Sequence, residues 1–268
     1  MIKSFVRGCL CLRKLHIFLL AALFTVMSGC GANSDTEGTE LTVSAAASLR
    51  EALEEAAKTY SKQNPDIKIV YNFGGSGSLQ QQISQGAPVD LFISAAQDQF
   101  NVLMSKQLID QNHNAKLLKN ELVLITQKDN ENLHSVKSLT KDEISRIAIG
   151  TPETVPAGMY AKQALVSLGL WEELELKLIP TKDVRQVLSY VETGNVEAGI
   201  VYKTDAQVSE KVRIIPFQKE ALHDPIIYPA GVITGSKHKE EARRFLDFLK
   251  GREAMKIFEK YGFNAALE

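Results

Sequence analysis

The chain has 268 residues, 44% of them hydrophobic, which suffices for one large domain or two small ones around a buried core. Its formal charge of −1 hides an asymmetry. Four of the 31 basic residues (Lys3, Arg7, Arg13 and Lys14) and none of the 32 acidic ones fall in the first 29 positions, so the remainder is net acidic by five. That balance argues against a nucleic-acid partner, whose phosphates need a basic footprint.

Residues 1–29 read as an export signal. Basic residues run to Lys14, and residues 17–27 are apolar. This run is too short to span a bilayer comfortably, which takes roughly 20 apolar residues. It ends in Met27-Ser28-Gly29-Cys30, small residues before a cysteine that resemble a bacterial lipobox. The resemblance implies cleavage that leaves Cys30 as a lipidated first residue, anchoring the protein on the outer side of the cell membrane. Cys9 and Cys11 leave with the signal, so the mature chain has no partner for a disulfide. An uncleaved membrane anchor is the alternative. Residues 30–40 are polar and without apolar periodicity, and read as the lipidated cysteine with a flexible tether.

From Leu41 onward short apolar runs alternate with helical periods. Leu41–Ala45 reads as a strand, followed by a helix with Leu49, Leu53, Ala56, Ala57 and Tyr60 at helical spacing. Ile67–Tyr71 is the next strand, a helix begins near Ser78, and Asp90–Ser94 is a third strand. Glu121–Thr126 is apolar enough for a central strand. Ile147–Gly150 and Ala198–Tyr202 are similar, with helices near 157–169 and 183–193 between them. Residues 239–261 read as helical and broken at Gly251. Such alternation implies an α/β protein with parallel strands and helices on both sheet faces.

In open α/β sheets, ligands sit beyond the carboxyl ends of the strands. Five strand-to-helix junctions are therefore of interest. Ser48 with Glu51 has a capping-box pattern, as does Ser78 with Gln81, which leaves Ser76 and Gly77 in the turn before. Pro156 suits the first turn of a helix that includes Ala157. Thr181 or Asp183 caps a helix containing Val184, and Tyr202 ends a strand before Lys203-Thr204-Asp205. Each helix start presents unpaired N–H groups and a partial charge of about +0.5. Several hydrogen bonds to a charged acceptor, each worth roughly 1.5–3 kcal/mol, can offset the desolvation of an anion without any Lys or Arg.

"AAASL" at 45–49, "FGGSGSL" at 73–79, "GAPVDLFISA" at 86–95, "VPAGMYAKQAL" at 155–165, "DVRQVL" at 183–188, "GIVY" at 199–202 and "KIFEKYGF" at 256–263 occur in order. This ordered set resembles the molybdate-binding receptors of ABC importers, from about Leu41 to Phe263. The resemblance implies a two-lobed periplasmic-binding-protein type II fold, each lobe a mixed sheet flanked by helices, with two hinge crossings near Leu122–Thr126 and Ile227–Thr234. Residues 41–121 with 227–268 form one lobe and 122–226 the other. The implied ligand is molybdate or tungstate, with no cofactor and no catalysis. Ser48, Ser76, Ala157, Val184 and Tyr202 are the implied contacts, through hydroxyls of Ser48, Ser76 and Tyr202 and amides of the serines, Ala157 and Val184. Gly75 and Gly77 depart from the family's serine run, which leaves the register of Ser76 against Ser78 open. The implied partners are a membrane permease with its ATPase, and a monomeric receptor is expected.

Molybdate carries no proton at neutral pH, so its site needs donors and no carboxylate acceptor. Sulfate shares this property and is the alternative ligand. A serine hydrolase is the alternative of a different class: Gly74–Ser78 nearly matches a G-x-S-x-G elbow, but its last position is Ser78 and no base is placed. No Walker loop occurs. His113, His134, His223 and His238 read as surface residues without metal-ligand spacing, and Arg185 as a salt bridge on the outer face of its helix.

Overall fold

The computed structural model describes residues 38–217 and 222–266. The expected signal, Cys30 and the tether up to residue 37 lie outside the described residues. Eleven strands are present among those described: β1 (Thr39–Ala46), β2 (Ile67–Gly74), β3 (Leu91–Ile93), β4 (Ile109–Lys119), β5 (Leu122–Gln127), β6 (Ile147–Gly150), β7 (Leu178–Thr181), β8 (Ala198–Tyr202), β9 (Val212–Pro216), β10 (Ile227–Ile233) and β11 (Asn264–Ala265). They form two sheets, with orders β11-β4-β10-β3-β1-β2 and β7-β6-β8-β5-β9. The helices are α1 (Arg50–Gln63), α2 (Ser76–Ser84), α3 (Gln97–Ser105), α4 (Pro156–Ser167), α5 (Trp171–Leu174), α6 (Val184–Glu192), α7 (Lys203–Gln207), α8 (Lys239–Lys250) and α9 (Arg252–Lys260).

The apolar runs explain the layers. Leu122–Thr126 is buried throughout, as a strand covered on both faces must be. In α8 the buried set is Ala242, Phe245, Leu246 and Leu249, one stripe of a 3.6-residue period. Gly251 separates α8 from α9, as its sequence position suggests. Tyr60 of α1 packs its ring 5.0 Å from Phe245 and 5.1 Å from Phe248, which fixes α1 and α8 on one side of the first sheet.

The sheets are mixed rather than parallel. β1 pairs in parallel with β2 and β3, and β6 with β7 and β8. β10 is antiparallel to β3 and β4, and β5 is antiparallel to β8 and β9. The chain passes between the sheets at Asn120-Glu121, just before β5, and again between Pro216 and Ile227, just before β10. A strand arriving from the other sheet enters at the facing edge, where the parallel strands end, so it must run against them. Alternation of elements in sequence does not register this reversal. The strands β4, β7 and β9 also lack a sequence signature. β4 reads Ile-Asp-Gln-Asn-His-Asn-Ala-Lys-Leu-Leu-Lys, polar along most of its length, because only the two-residue β11 lies outside it.

Helix α4 lies close on β6. A Cβ on Gly158 would collide with the Gly150 carbonyl, so the helix rests directly on the strand end. Gly158→Ala is expected to destabilise folding by roughly 1–3 kcal/mol, the range for overpacked sites. Urea unfolding of the variant checks this, and an unchanged midpoint would contradict the close packing.

Candidate functional site

Each of the five candidate residues lies at or just after the carboxyl end of a strand that has a parallel neighbour. Ser48 follows β1 in a 3₁₀ turn, Ala47–Leu49. Ser76 opens α2 directly after β2, Ala157 is the second residue of α4 after β6, and Val184 opens α6 after β7. Tyr202 is the last residue of β8. All five are buried and line one cavity, with Ala46, Ala47, Gly74, Gly75, Ala95, Val155 and Pro156. Both sheets contribute, and no charged side chain is part of the lining. The cavity volume is about 10 Å³, roughly the space of one water. That is far below the roughly 300–1,000 Å³ of pockets for drug-sized organic molecules.

The donors in this cavity are free to face inward. As first-turn residues Ser76, Ala157 and Val184 have no intrahelical acceptor for their N–H groups, and no other described residue accepts from them. Asp183 caps α6 by accepting from the Gln186 amide at 2.9 Å, which leaves the Val184 amide open. Ser76 Oγ accepts from the Ala95 amide at 2.9 Å and keeps its own proton to give. Ser48 Oγ lies 3.0 Å from the Tyr228 hydroxyl, which accepts from Asn120 Nδ2 at 3.1 Å. Either hydroxyl of the Ser48–Tyr228 pair can donate, and with Tyr228 donating the Ser48 proton is free for the cavity. Tyr202 donates to the Ala95 carbonyl at 3.4 Å, a long and weak bond that a better acceptor can replace. Burial pushes the phenols of Tyr202 and Tyr228 well above their ordinary range, so both keep their protons.

Several sequence expectations change here. Ser48 does not cap a helix: α1 starts at Arg50 behind Leu49, without a side-chain cap, and the serine hydroxyl turns to Tyr228 instead. Ser76 is in α2 rather than in the turn before it, and no box forms between Ser78 and Gln81. Ser76 lines the cavity and Ser78 does not. Of the four histidines named above, only His134 is exposed; His113, His223 and His238 are partly buried, and His113 pairs with Asp110 at 3.0 Å. Arg185 is not on an outer face. Its guanidinium is held between Glu51 of α1 and Asp205 of α7, with Nε 3.2 Å from Asp205 Oδ1. Ala95, Asn120 and Tyr228 carry no local signal of a role at the site and meet it only through tertiary folding.

Glycines set how closely the two halves meet. The Gly77 amide donates to the Thr154 carbonyl at 2.8 Å, a backbone bond from α2 to the loop ahead of α4. A Cβ on Gly77 would stand 2.7 Å from Thr154 Cα, and one on Gly75 2.9 Å from the carbonyls of Lys182 and Thr154. The serine-to-glycine departures in this motif thus remove side chains exactly where backbones touch.

Asp205 is fully buried, and burial raises its carboxyl to about 7 although Arg185 pulls the other way. The unfolded value is about 3.9, so between these values the folded protein binds the extra proton. The stability this group contributes is full below about pH 4 and is lost as pH rises to about 7. Wild type should therefore lose stability relative to Asp205→Asn over that window, by up to about 1.4 kcal/mol per pH unit. Chemical denaturation of both proteins at several pH values checks this; parallel pH profiles would contradict it.

Comparison with known proteins places this geometry in a family. YvgL of Bacillus subtilis (strain 168), provisionally named an ABC transporter substrate-binding lipoprotein, is 48% identical over 259 residues, covering 94% of this chain and 99% of YvgL. The molybdate-binding protein ModA of Escherichia coli (strain K12) is 38% identical over 258 residues, covering 93% and 97%. The solved structure of the Azotobacter vinelandii periplasmic molybdate-binding protein superposes with a TM-score of 0.75 at 26% identity, covering 83% of this chain and 98% of that one. The family model of the bacterial extracellular solute-binding proteins matches residues 41–264, and the chain belongs to that family.

Proposed function

We propose that this protein is the receptor of an ABC importer and captures molybdate or tungstate between two lobes, residues 41–121 with 227–268 and residues 122–226. The observation that carries the reading is the cavity itself: five residues from both sheets bring neutral N–H and O–H donors to one small space lined by no charged side chain. Ser48, Ser76 and Tyr202 give hydroxyls, and Ser48, Ser76, Ala157 and Val184 give amides. An unprotonated tetrahedral oxyanion needs only donors, and the absence of a carboxylate from the lining suits it. Sulfate meets the same donor rule; the 38% identity to a molybdate-binding protein over nearly the whole chain favours the metal oxyanion. The protein acts as a carrier, not a hydrolase. The protein partner of Ser76 Oγ is an amide, which gives a proton and cannot take one as a base would.

A lipid on Cys30 would hold this monomeric receptor at the outer face of the membrane, close to the permease. Two crossings among the described residues join the sheets, at Asn120-Glu121 and between Pro216 and Ile227, each just ahead of the apolar strands Leu122–Gln127 and Ile227–Ile233, which supports a hinge there. The closed form is the one the permease would read.

Calorimetric titration of the purified protein tests the ligand. Heat is expected from molybdate and tungstate, and heat from sulfate alone would overturn the reading. Ser48→Ala and Ser76→Ala should each weaken binding about 10- to 100-fold, the loss of one hydrogen bond to a charged acceptor. Gly77→Ala leaves every donor in place but wedges the lobes apart, so it should also weaken binding, through faster release measured by stopped flow. Normal affinity in this variant would show that the close Gly77–Thr154 approach is not part of the bound state.

A further inference from the structure

Arg185 stands next to the cavity without being part of it. It follows Val184 in α6, and its side chain is only 18% exposed. Two carboxylates hold it, and they belong to different halves of the molecule. Asp205, fully buried, is in α7 and therefore on the same half as α6. Glu51, 37% exposed, is in the first turn of α1 on the other half. The Arg185 Nε also points at the Ala47 carbonyl of that half, at 3.5 Å. The planar guanidinium suits this double use, because one edge can be held while the other reaches out.

We propose that Arg185 and Glu51 form an ionic latch across the cleft that stabilises the closed form independently of any ligand. The proposal rests on the two-lobed closing motion of the preceding section. When the lobes part, Arg185 keeps Asp205 and loses Glu51, since only the second lies across the cleft. The pair therefore counts in the closed state alone and shifts the balance between open and closed. Asp205 is a positioning residue: its carboxyl, 3.2 Å from Nε, aims the guanidinium. The same arrangement keeps a full positive charge out of the oxyanion cavity while placing it one residue away.

The test is Glu51→Gln, a partly exposed helix position whose change leaves Asp205 paired; removing Arg185 instead would leave a buried carboxylate alone and endanger folding. Circular dichroism confirms that the variant folds. Two quantities are then compared with wild type: molybdate affinity by calorimetry, and hydrogen exchange of the Gly77 amide in ligand-free protein, since that amide bonds to Thr154 only when the halves meet. A ligand-free protein that is mainly open will show the latch as weaker affinity, because apparent affinity scales with the closed fraction. One that is mainly closed will show it as faster Gly77 exchange. The expected change in one or the other is about fivefold, the upper end for a partly exposed pair, and should shrink in about 1 M salt. If neither quantity moves, the pair is not a latch and the proposal falls. If molybdate fails to bind wild type yet Gly77 exchange rises in the variant, the latch stands and the ligand assignment fails.

Discussion

Polar groups are buried at the junction of the two sheets without a charged side chain among them, and this constraint shapes everything around it. A hydroxyl or amide removed from water loses its hydrogen bonds unless a partner is supplied. Here the partners on the protein side are supplied from behind. The Ala95 amide donates to Ser76, Asn120 donates to Tyr228, and the Tyr228 and Ser48 hydroxyls bond to each other. What remains unsatisfied faces the cavity. The protein thus arrives at the proposed anion with its donors already oriented, and reorganisation on binding is small.

The passage between the sheets and the cavity share these bonds. Asn120 lies in the first passage between the sheets and bonds both Thr204 of α7, at 2.9 Å, and Tyr228 of β10. Tyr202 and Tyr228 meet edge-on with ring centroids 5.8 Å apart, one from each sheet. The proposed rotation of the halves about Asn120-Glu121 would disturb this contact and the bonds behind Ser48. Under that proposal, opening the cleft and loosening the cavity's donors would be one event, which suits a receptor that must both hold and release its cargo.

The charges near the cavity pair with one another rather than line it. Arg185 is countered on two sides and lies outside the lining, so the cavity keeps the neutral character that its donor set needs. The glycines at 75 and 77 act in the same seam by steric means. Their missing side chains let the Lys182 and Thr154 backbones pack against the α2 start, where the Gly77 amide bonds the Thr154 carbonyl. This backbone bond, the Tyr202–Ala95 bond, the Tyr202–Tyr228 ring contact and the Arg185–Glu51 pair join the two halves.

The sequence by itself determined the elements whose apolar period is unbroken and the junctions between them. β1, β2, β5, β6, β8 and the helices α1, α4, α6, α8 and α9 were legible because burial on a sheet or stripe is written residue by residue. The five candidate contacts were ranked by a family resemblance and placed at helix starts by local patterning; their convergence on one cavity required the fold. Tertiary structure alone decided the strand directions at the crossings, the polar strand β4, the partner of Ser48 and the place of Arg185. Each of these depends on residues far apart in the chain: 180 positions separate Ser48 from Tyr228, and 138 separate Arg185 from Ala47. Local sequence encodes which face of an element avoids water, but a hydrogen bond or ion pair between distant segments is fixed only when packing has brought both ends together.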